Sequence, residues 1–221
     1  MPGFLCPGLN KAGILLSQFM RICFIIFFLA IYSFCSANDS TANHLKINFL
    51  YGSKPAKGFK KTESKRFGGI KGGHVNIEAG GRVLDFLPGK NPVLPVRKKP
   101  SGGYRLNNNA YKNKDQDKWV TIIVPLTQDQ FTRLQTLFDS VSTNTPYDYA
   151  IFGMRCAAAS YDVLSEIGLF KKLSNKKNIS KHFYPKLLRK EVLKWAEKNN
   201  YTIIKHEGRS SRKWESDKGI L

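Results

Sequence analysis

Two glycines, Gly80 and Gly81, separate two short runs in which apolar and polar residues alternate. The runs cover residues 73–78 and 82–87. Alternation is the pattern of a half-buried β-strand, and a glycine pair readily adopts the positive φ angles that a two-residue hairpin turn needs. The stretch is therefore predicted to fold as a β-hairpin, with successive side chains on opposite faces.

The register of this hairpin predicts which polar residues share a face. A two-residue turn pairs Asn76 with Asp85, and by the same register His74 faces Leu87. Asp85 then lies on the His74 face, diagonal to the imidazole. Glu78 shares that face but stands about 13 Å along the strand, at about 3.3 Å per residue. Asp85 is the preferred orienting partner, with Asn76 second and Glu78 third, and a one-residue slip would turn Asp85 away.

Cys156, within residues 146–164, is the second feature of the sequence that suggests a chemical function. Three alanines and then spaced apolar residues follow Cys156, so a helix is predicted to begin there. Free backbone N–H groups and the dipole at a helix N-terminus stabilise a thiolate and can bind an oxyanion. A strand-borne His74 and this thiol match the pairing of base and nucleophile. The alternative is that Cys156 is a small buried core residue and the alanines allow close packing.

The remaining strands and helices are predicted from the spacing of apolar residues, which repeats every second residue in a strand and about every 3.6 residues in a helix. Thr127 and Gln130 have the spacing of a capping box, and Pro185 suits the first position of a helix. Strands are predicted at residues 45–51, around residue 104, 119–126 and 201–205. Helices are predicted at residues 128–142, 156–170 and 185–199. Loops are predicted at residues 52–66, 88–118 and 171–181.

The N-terminus has the order of a secretory signal peptide. Arg21 precedes an apolar run at residues 22–34, and small residues follow up to Ala37. The run is shorter than the roughly 20 apolar residues that a membrane-spanning helix needs. Residues 1–37 are predicted to be a cleaved signal, with Met20 as an alternative start and an uncleaved anchor as the other reading. The mature protein is then expected to be periplasmic or secreted.

Removal of residues 1–37 leaves Cys156 as the one cysteine of the four in the chain. A lone cysteine forms no internal disulfide, and in an exported protein with histidines elsewhere it is a candidate nucleophile. Residues 38–205 suit a single domain, and residues 206–221 are predicted to be a charged, mobile tail. No zinc-binding spacing is present, so neither a metal nor a cofactor is predicted. Three further histidines are expected to be solvent-exposed, namely His44, His182 and His206.

Charge suggests the kind of partner. The formal net charge is +20, and Lys11 and Arg21 are the only charged side chains in the first 37 residues, which leaves +18 for the remainder. Such a surface favours anionic membranes, lipopolysaccharide or acidic glycans. The lysines are scattered and no nucleic-acid module is present, so specific nucleic-acid binding is not expected. Compositional drift is the other explanation of the charge, and the sequence makes no prediction of oligomeric state.

The order of these motifs carries a resemblance. A Gly-His-Val at residues 73–75, the polar Asp85, a Tyr/Asp-rich loop and Cys156 at a helix start follow one another. This order resembles the circularly permuted papain-like cysteine hydrolases, which include permuted NlpC-type peptidases, YiiX-like proteins and lecithin:retinol acyltransferase relatives. The resemblance covers residues 45–170. It implies an α+β fold with an antiparallel sheet packed against helices and the nucleophile at a helix N-terminus.

The resemblance also implies roles for individual residues. Cys156 would be the nucleophile, His74 the base and Asp85 the orienting residue of a thiol hydrolase. Its substrates would be amides or esters, above all peptidoglycan or other peptides. A lipid amidase or acyltransferase is the first alternative. The second is a non-catalytic papain-like module that binds anionic envelope polymers.

Three residues near the cysteine are candidates for the oxyanion or substrate pocket. The position of Tyr147 is similar to that of the tyrosine that helps line the oxyanion pocket in the resembling enzymes, and Tyr149 and Arg155 are further candidates. Arg155 before the cysteine and the alanines after it depart from the common pattern.

Overall fold

A computed structural model describes residues 43–67, 69, 72–89, 102–108 and 116–215. The signal peptide predicted at residues 1–37 and the alternative start at Met20 lie outside these described residues. Among the helices described, none is long and apolar enough to cross a membrane.

Antiparallel strands form two sheets in the described part of the chain. The strands are β1 (His44–Leu50), β2 (Ser53–Pro55), β3 (His74–Ala79), β4 (Arg82–Pro88), β5 (Gly102–Asn107), β6 (Trp119–Pro125), β7 (Thr202–His206) and β8 (Arg212–Trp214). The main sheet has the order β5-β4-β3-β1-β6-β7, and β2 pairs separately with β8. Each predicted strand is thus present, and the predicted loop at residues 52–66 contributes the short β2.

Helices pack on this sheet, which confirms the prediction of an antiparallel sheet packed against helices in an α+β fold. They are α1 (Gln128–Thr143), α2 (Cys156–Glu166), α3 (Asn175–Lys181) and α4 (Pro185–Lys198). The predicted capping box between Thr127 and Gln130 begins α1, since each side chain accepts from the other residue's backbone N–H. Pro185 is the first residue of α4, where its missing N–H costs no helical hydrogen bond.

One face of the main sheet is apolar and forms the core with the helices. Leu45, Ile47 and Phe49 alternate along β1 and are all 0% exposed. Helix α2 lays its run of buried alanines, Ala157 among them, over β3 and β4, so its backbone approaches the sheet closely. Burying a large apolar side chain contributes about 1.5–3 kcal/mol. Replacing Phe49 by alanine is therefore expected to cost about 3–5 kcal/mol, including the cavity.

The hairpin between β3 and β4 has the predicted register. Asn76 pairs with Asp85 and Ile77 pairs with Leu84, as a two-residue turn requires. Both turn residues have positive φ, 59° at Gly80 and 74° at the next glycine, which fits a type I′ turn. The polar side chains of β3 and β4 consequently lie on the face predicted for them.

The segment at residues 171–181, predicted to be a loop, contains helix α3. The expectation that His182 is exposed is also wrong, because the side chain is 0% exposed. Its Nδ1 lies 2.7 Å from Asn178 Oδ1 and its Nε2 lies 3.0 Å from Glu191 Oε2, and its ring stacks on Tyr161. Burial is tolerated because both ring nitrogens have partners, and those partners come from two different helices.

The charged tail predicted to be mobile begins at residue 206, and as far as Glu215 the structure describes it in contact with the domain. Strand β8 pairs with β2, and Arg212 hydrogen-bonds the Ser53 hydroxyl and forms an ion pair with Glu63. Glu215 forms a buried ion pair with Arg189 at 3.0 Å. The charged composition suggested solvent exposure, but these charges are neutralised by partners from distant parts of the chain.

Candidate active site

The first residue of β3 and the middle of β4 supply a histidine and a carboxylate in contact. His74 Nε2 lies 2.8 Å from Asp85 Oδ1. The two residues are diagonal neighbours across the hairpin, since Asp85 pairs directly with Asn76. The register therefore brings together the histidine and the orienting residue that the sequence predicted.

Two amides hold the Asp85 carboxylate in addition to His74. Asn76 Nδ2 donates to Oδ1 at 3.0 Å, and Asn107 Nδ2 donates to Oδ2 at 2.8 Å. Burial alone would raise the pKa of the Asp85 carboxyl, but the hydrogen bond and charge of His74, together with the two amides, hold it below its ordinary value. Asp85 is thus an ionised acceptor at neutral pH, and each of its two oxygens accepts at least one hydrogen bond.

A row of buried polar side chains extends this arrangement across the sheet. The Thr121 hydroxyl on β6 donates to Asn48 Oδ1 on β1 at 2.5 Å, and Asn48 Nδ2 donates to Asn76 Oδ1 at 3.1 Å. Because the oxygen of Asn76 is occupied, its amino group points to Asp85. The donors therefore run in one direction from Thr121 to the carboxylate. Asn76 supports Asp85 and does not replace it as the partner of the imidazole.

Glu78 is placed away from the histidine, near the other end of β3. It forms an ion pair with Lys46 at 2.7 Å and accepts a long contact of 3.5 Å from Asn48. This position agrees with the prediction that Glu78 is the least suitable of the three candidates to orient His74.

Sequence reasoning missed Asn48 and Thr121 in the polar row, and Asn107, the exposed amide that donates to Asp85. Asn48 and Thr121 are polar residues within otherwise apolar strands, which is a signal that could have been used. Asn107 carried no such signal, because the surrounding residues 88–118 read mainly as loop.

Cys156 begins α2 and is 4% exposed. It hydrogen-bonds the His74 ring, and the Val75 backbone N–H donates to its sulfur. Burial alone would raise the pKa of the thiol, but the hydrogen bond and charge of His74 lower it. The Val75 N–H and the positive charge of Arg155 lower this pKa further. In the part of the chain that the structure describes, Cys156 is the one free cysteine.

The imidazole joins the carboxylate to the thiol. Burial alone would lower the pKa of His74, but its hydrogen bonds to Asp85 and Cys156 and their charges raise it to about 10. Since Nε2 faces Asp85, Nδ1 is the nitrogen left for the sulfur. The ring also stacks on Phe67, with centroids 6.4 Å apart. The contact of the imidazole with Cys156 therefore favours a thiolate beside an imidazolium, because each charged form stabilises the other.

Tyr149 and Arg155 lie beside this pair. Burial and the charge of Cys156 raise the pKa of the Tyr149 phenol, whose hydrogen bond to Arg155 opposes the rise. Arg155 is the extended residue that precedes α2, and its guanidinium carbon lies 4.8 Å from the centroid of the Phe183 ring. The charge of Arg155 therefore acts on both the Tyr149 phenol and the Cys156 thiol.

Tyr147 is in a different network. Its hydroxyl lies 2.6 Å from the Tyr104 hydroxyl and donates to Asp162 Oδ2 at 3.1 Å. Asp162 is six residues into α2, about 9 Å along the helix axis from Cys156. Of the two tyrosines, Tyr149 is therefore the one whose pKa the charge of Cys156 affects, which the loop sequence could not distinguish.

The described residues contain no group of three or more His, Cys, Asp or Glu side chains that could hold a metal ion. No protein-family model, curated protein or solved structure matches the chain. The site is therefore interpreted from its own geometry.

Proposed function

We propose that the chain is a thiol hydrolase or acyl-transfer enzyme with Cys156 as nucleophile, His74 as acid and base, and Asp85 as the orienting residue. The observation that supports this best is the continuous hydrogen-bonded series from Asp85 through the imidazole to the thiol. Burial disfavours the thiolate of Cys156 and the imidazolium of His74, but the hydrogen bonds and opposite charges of their partners outweigh this cost. An ion pair with a purely structural role would also shift the pKa values of its two members. Such a role gives no reason for a thiol to stand at the start of a helix.

In the proposed reaction the Cys156 thiolate attacks the carbonyl carbon of an amide or ester. The backbone N–H groups at the start of α2 are available to stabilise the oxyanion, and one such donor is worth about 10²–10³ in rate. His74 gives its proton to the leaving amine or alcohol, and a thioester remains on the sulfur. Water, deprotonated by His74, then releases the acid and the thiol. A different acceptor would make the same thioester an acyl-transfer intermediate.

The arrangement also supports the finer proposal of a circularly permuted papain-like fold. The histidine strand precedes the cysteine helix in the chain, and α2 packs on the strand that carries the histidine. Export to the periplasm or beyond, and substrates among envelope peptides or lipids, remain part of the proposal. The charge of the chain favours encounter with anionic surfaces.

Thiol reactivity tests the proposal directly. The rate of Cys156 alkylation by iodoacetamide should persist at pH 6, where an ordinary thiol is almost fully protonated. His74→Ala should remove this reactivity, and Cys156→Ala should remove the labelled mass. A panel of small peptide, ester and lipid amide substrates then separates a peptidase from an acyltransferase. Equal rates for wild type and free cysteine at every pH would refute the proposal.

A further inference from the structure

Arg155 carries a positive charge beside the nucleophile without a carboxylate partner. None of the ion pairs among the described residues includes it, and its Nε is buried without a hydrogen-bond partner. A buried donor left unsatisfied costs stability, and a charged group costs more than a neutral one. Among the described residues, the other arginines that are not exposed do have such partners, namely Arg66 with Asp117, Arg82 with Asp139, Arg189 with Glu215, and Arg212 with Glu63.

Aromatic rings hold the guanidinium of Arg155 in place. Its central carbon lies 4.8 Å from the ring centroid of Phe183 and 5.3 Å from that of Tyr184. Such cation–π contacts use the faces of the guanidinium, and its N–H donors lie in the plane at the edge. Tyr149 engages the group as well. An oriented guanidinium with in-plane donors is suited to a planar carboxylate, which it can bind through two parallel hydrogen bonds.

The position of Arg155 restricts where such a carboxylate would lie. Arg155 directly precedes Cys156, and its charge acts on both the thiol and the Tyr149 phenol. A carboxylate bound there is close to the carbonyl that the sulfur attacks. Tyr184 is 40% exposed, so this group of side chains reaches the protein surface.

We propose that Arg155 binds a carboxylate adjacent to the scissile carbonyl, so that the substrates are anionic amides or esters. This inference rests on the proposed thiol chemistry of Cys156 and adds the substrate class. Arg155 is then a specificity residue, and its charge on the thiol is a secondary effect.

Two alkylating reagents of nearly the same shape test the inference without a known substrate. Iodoacetate carries a carboxylate next to the carbon that the thiolate attacks, and iodoacetamide carries a neutral amide there. In both reactions an S–C bond forms and iodide leaves. The ratio of the two rate constants at pH 7.5, divided by the same ratio for free cysteine, measures recognition of the carboxylate. We expect Arg155→Gln to lower this ratio about tenfold, the scale of a lost charge-assisted hydrogen bond.

Control variants separate recognition from general charge. Arg155→Lys keeps the charge but loses the planar donor pair, so its ratio should also fall. Lys194→Gln removes an exposed charge on α4 and should leave the ratio unchanged. If Arg155→Gln does not fold, the Arg155→Lys comparison decides. An unchanged ratio, or an equal fall with both reagents, would overturn the inference. Slow reaction of the wild-type thiol with both reagents would instead reject the thiol chemistry itself.

Discussion

Asp85 and His74 touch across the β3–β4 hairpin although they are not paired opposite each other. The diagonal contact depends on the two-glycine turn, because a turn one residue longer would place the carboxylate on the apolar face. The turn at Gly80 is therefore part of the site even though it lies at the other end of the hairpin.

Replacing Asp85 by asparagine should slow alkylation of Cys156 by iodoacetamide about tenfold or more at pH 6.5. The neutral amide no longer favours the imidazolium, so the thiolate fraction falls at that pH. Glu78→Gln is the matched control, because Glu78 lies on the same strand but pairs with Lys46. A larger effect of Glu78→Gln than of Asp85→Asn would contradict the assignment.

The pH dependence of turnover should be bell-shaped. The hydrogen bond and charge of His74 lower the pKa of the Cys156 thiol, so the thiolate forms at a lower pH than in an ordinary cysteine. The pKa of His74 is raised to about 10, so the proton needed by the leaving group is lost only as the pH rises through that value. The rate constant kcat/KM should therefore rise at acid pH, stay level, and fall near pH 10. A rise centred near pH 8.5 would show an unactivated thiol.

Thr121→Val should weaken the buried polar row while leaving the core volume unchanged. The Asn48 oxygen loses its donor, and an unmet buried acceptor costs about 1–3 kcal/mol. Urea unfolding measures this loss, with Thr136→Val on the exposed face of α1 as the control. Alkylation of Cys156 at pH 7.5 should change little, because Asn107 and His74 still hold Asp85.

Asp162→Asn should stabilise the protein at neutral pH. Tyr104 donates to the Ala159 carbonyl, Tyr147 donates to Asp162, and the two hydroxyls also contact each other, so two protons serve three contacts. A protonated Asp162, or an amide, supplies the missing donor. Burial, partly offset by the Tyr147 hydrogen bond, raises the pKa of this carboxyl.

The sign of this effect follows from linkage. A carboxyl whose pKa is raised in the folded state contributes most at low pH, and its contribution is lost as the pH rises through the folded pKa. The advantage of Asp162→Asn should therefore grow between pH 4 and pH 7.5, to about 1 kcal/mol. Asp139→Asn, at an exposed ion pair with Arg82, should lose up to about 1 kcal/mol instead. A constant advantage across this range would contradict the explanation.

Glu215→Gln should destabilise the fold by about 3–5 kcal/mol, because it removes the carboxylate of the buried ion pair with Arg189. Glu166→Gln, at an exposed pair with Lys172, should cost less than about 1 kcal/mol. Unfolding in urea compares the two. Glu215 also lies near the site, since its Oε2 is 3.2 Å from the position that a Cβ on Gly73 would occupy. Gly73 directly precedes His74, so the loss of the ion pair should also disturb the position of the histidine. Similar losses in both variants would show that the C-terminal segment is weakly held.

The local sequence determined the parts of this protein that depend on near neighbours. The turn glycines and the alternation around them set the hairpin register, and hence the contact between His74 and Asp85. The capping box at Thr127 and the proline at residue 185 set two helix starts. In each case a few bonded or adjacent residues supply the controlling hydrogen bond or φ angle, so the pattern is visible in the chain itself.

Tertiary packing decided the rest. Tyr147 and Tyr149 stand two residues apart in an irregular segment, and only packing turns one to Asp162 and the other to Arg155. The same holds for the buried His182, whose expected exposure was wrong because its partners come from two helices. A buried polar group is stable only where a partner meets it. Whether a partner meets it depends on how the surrounding segments pack, so no local pattern records it.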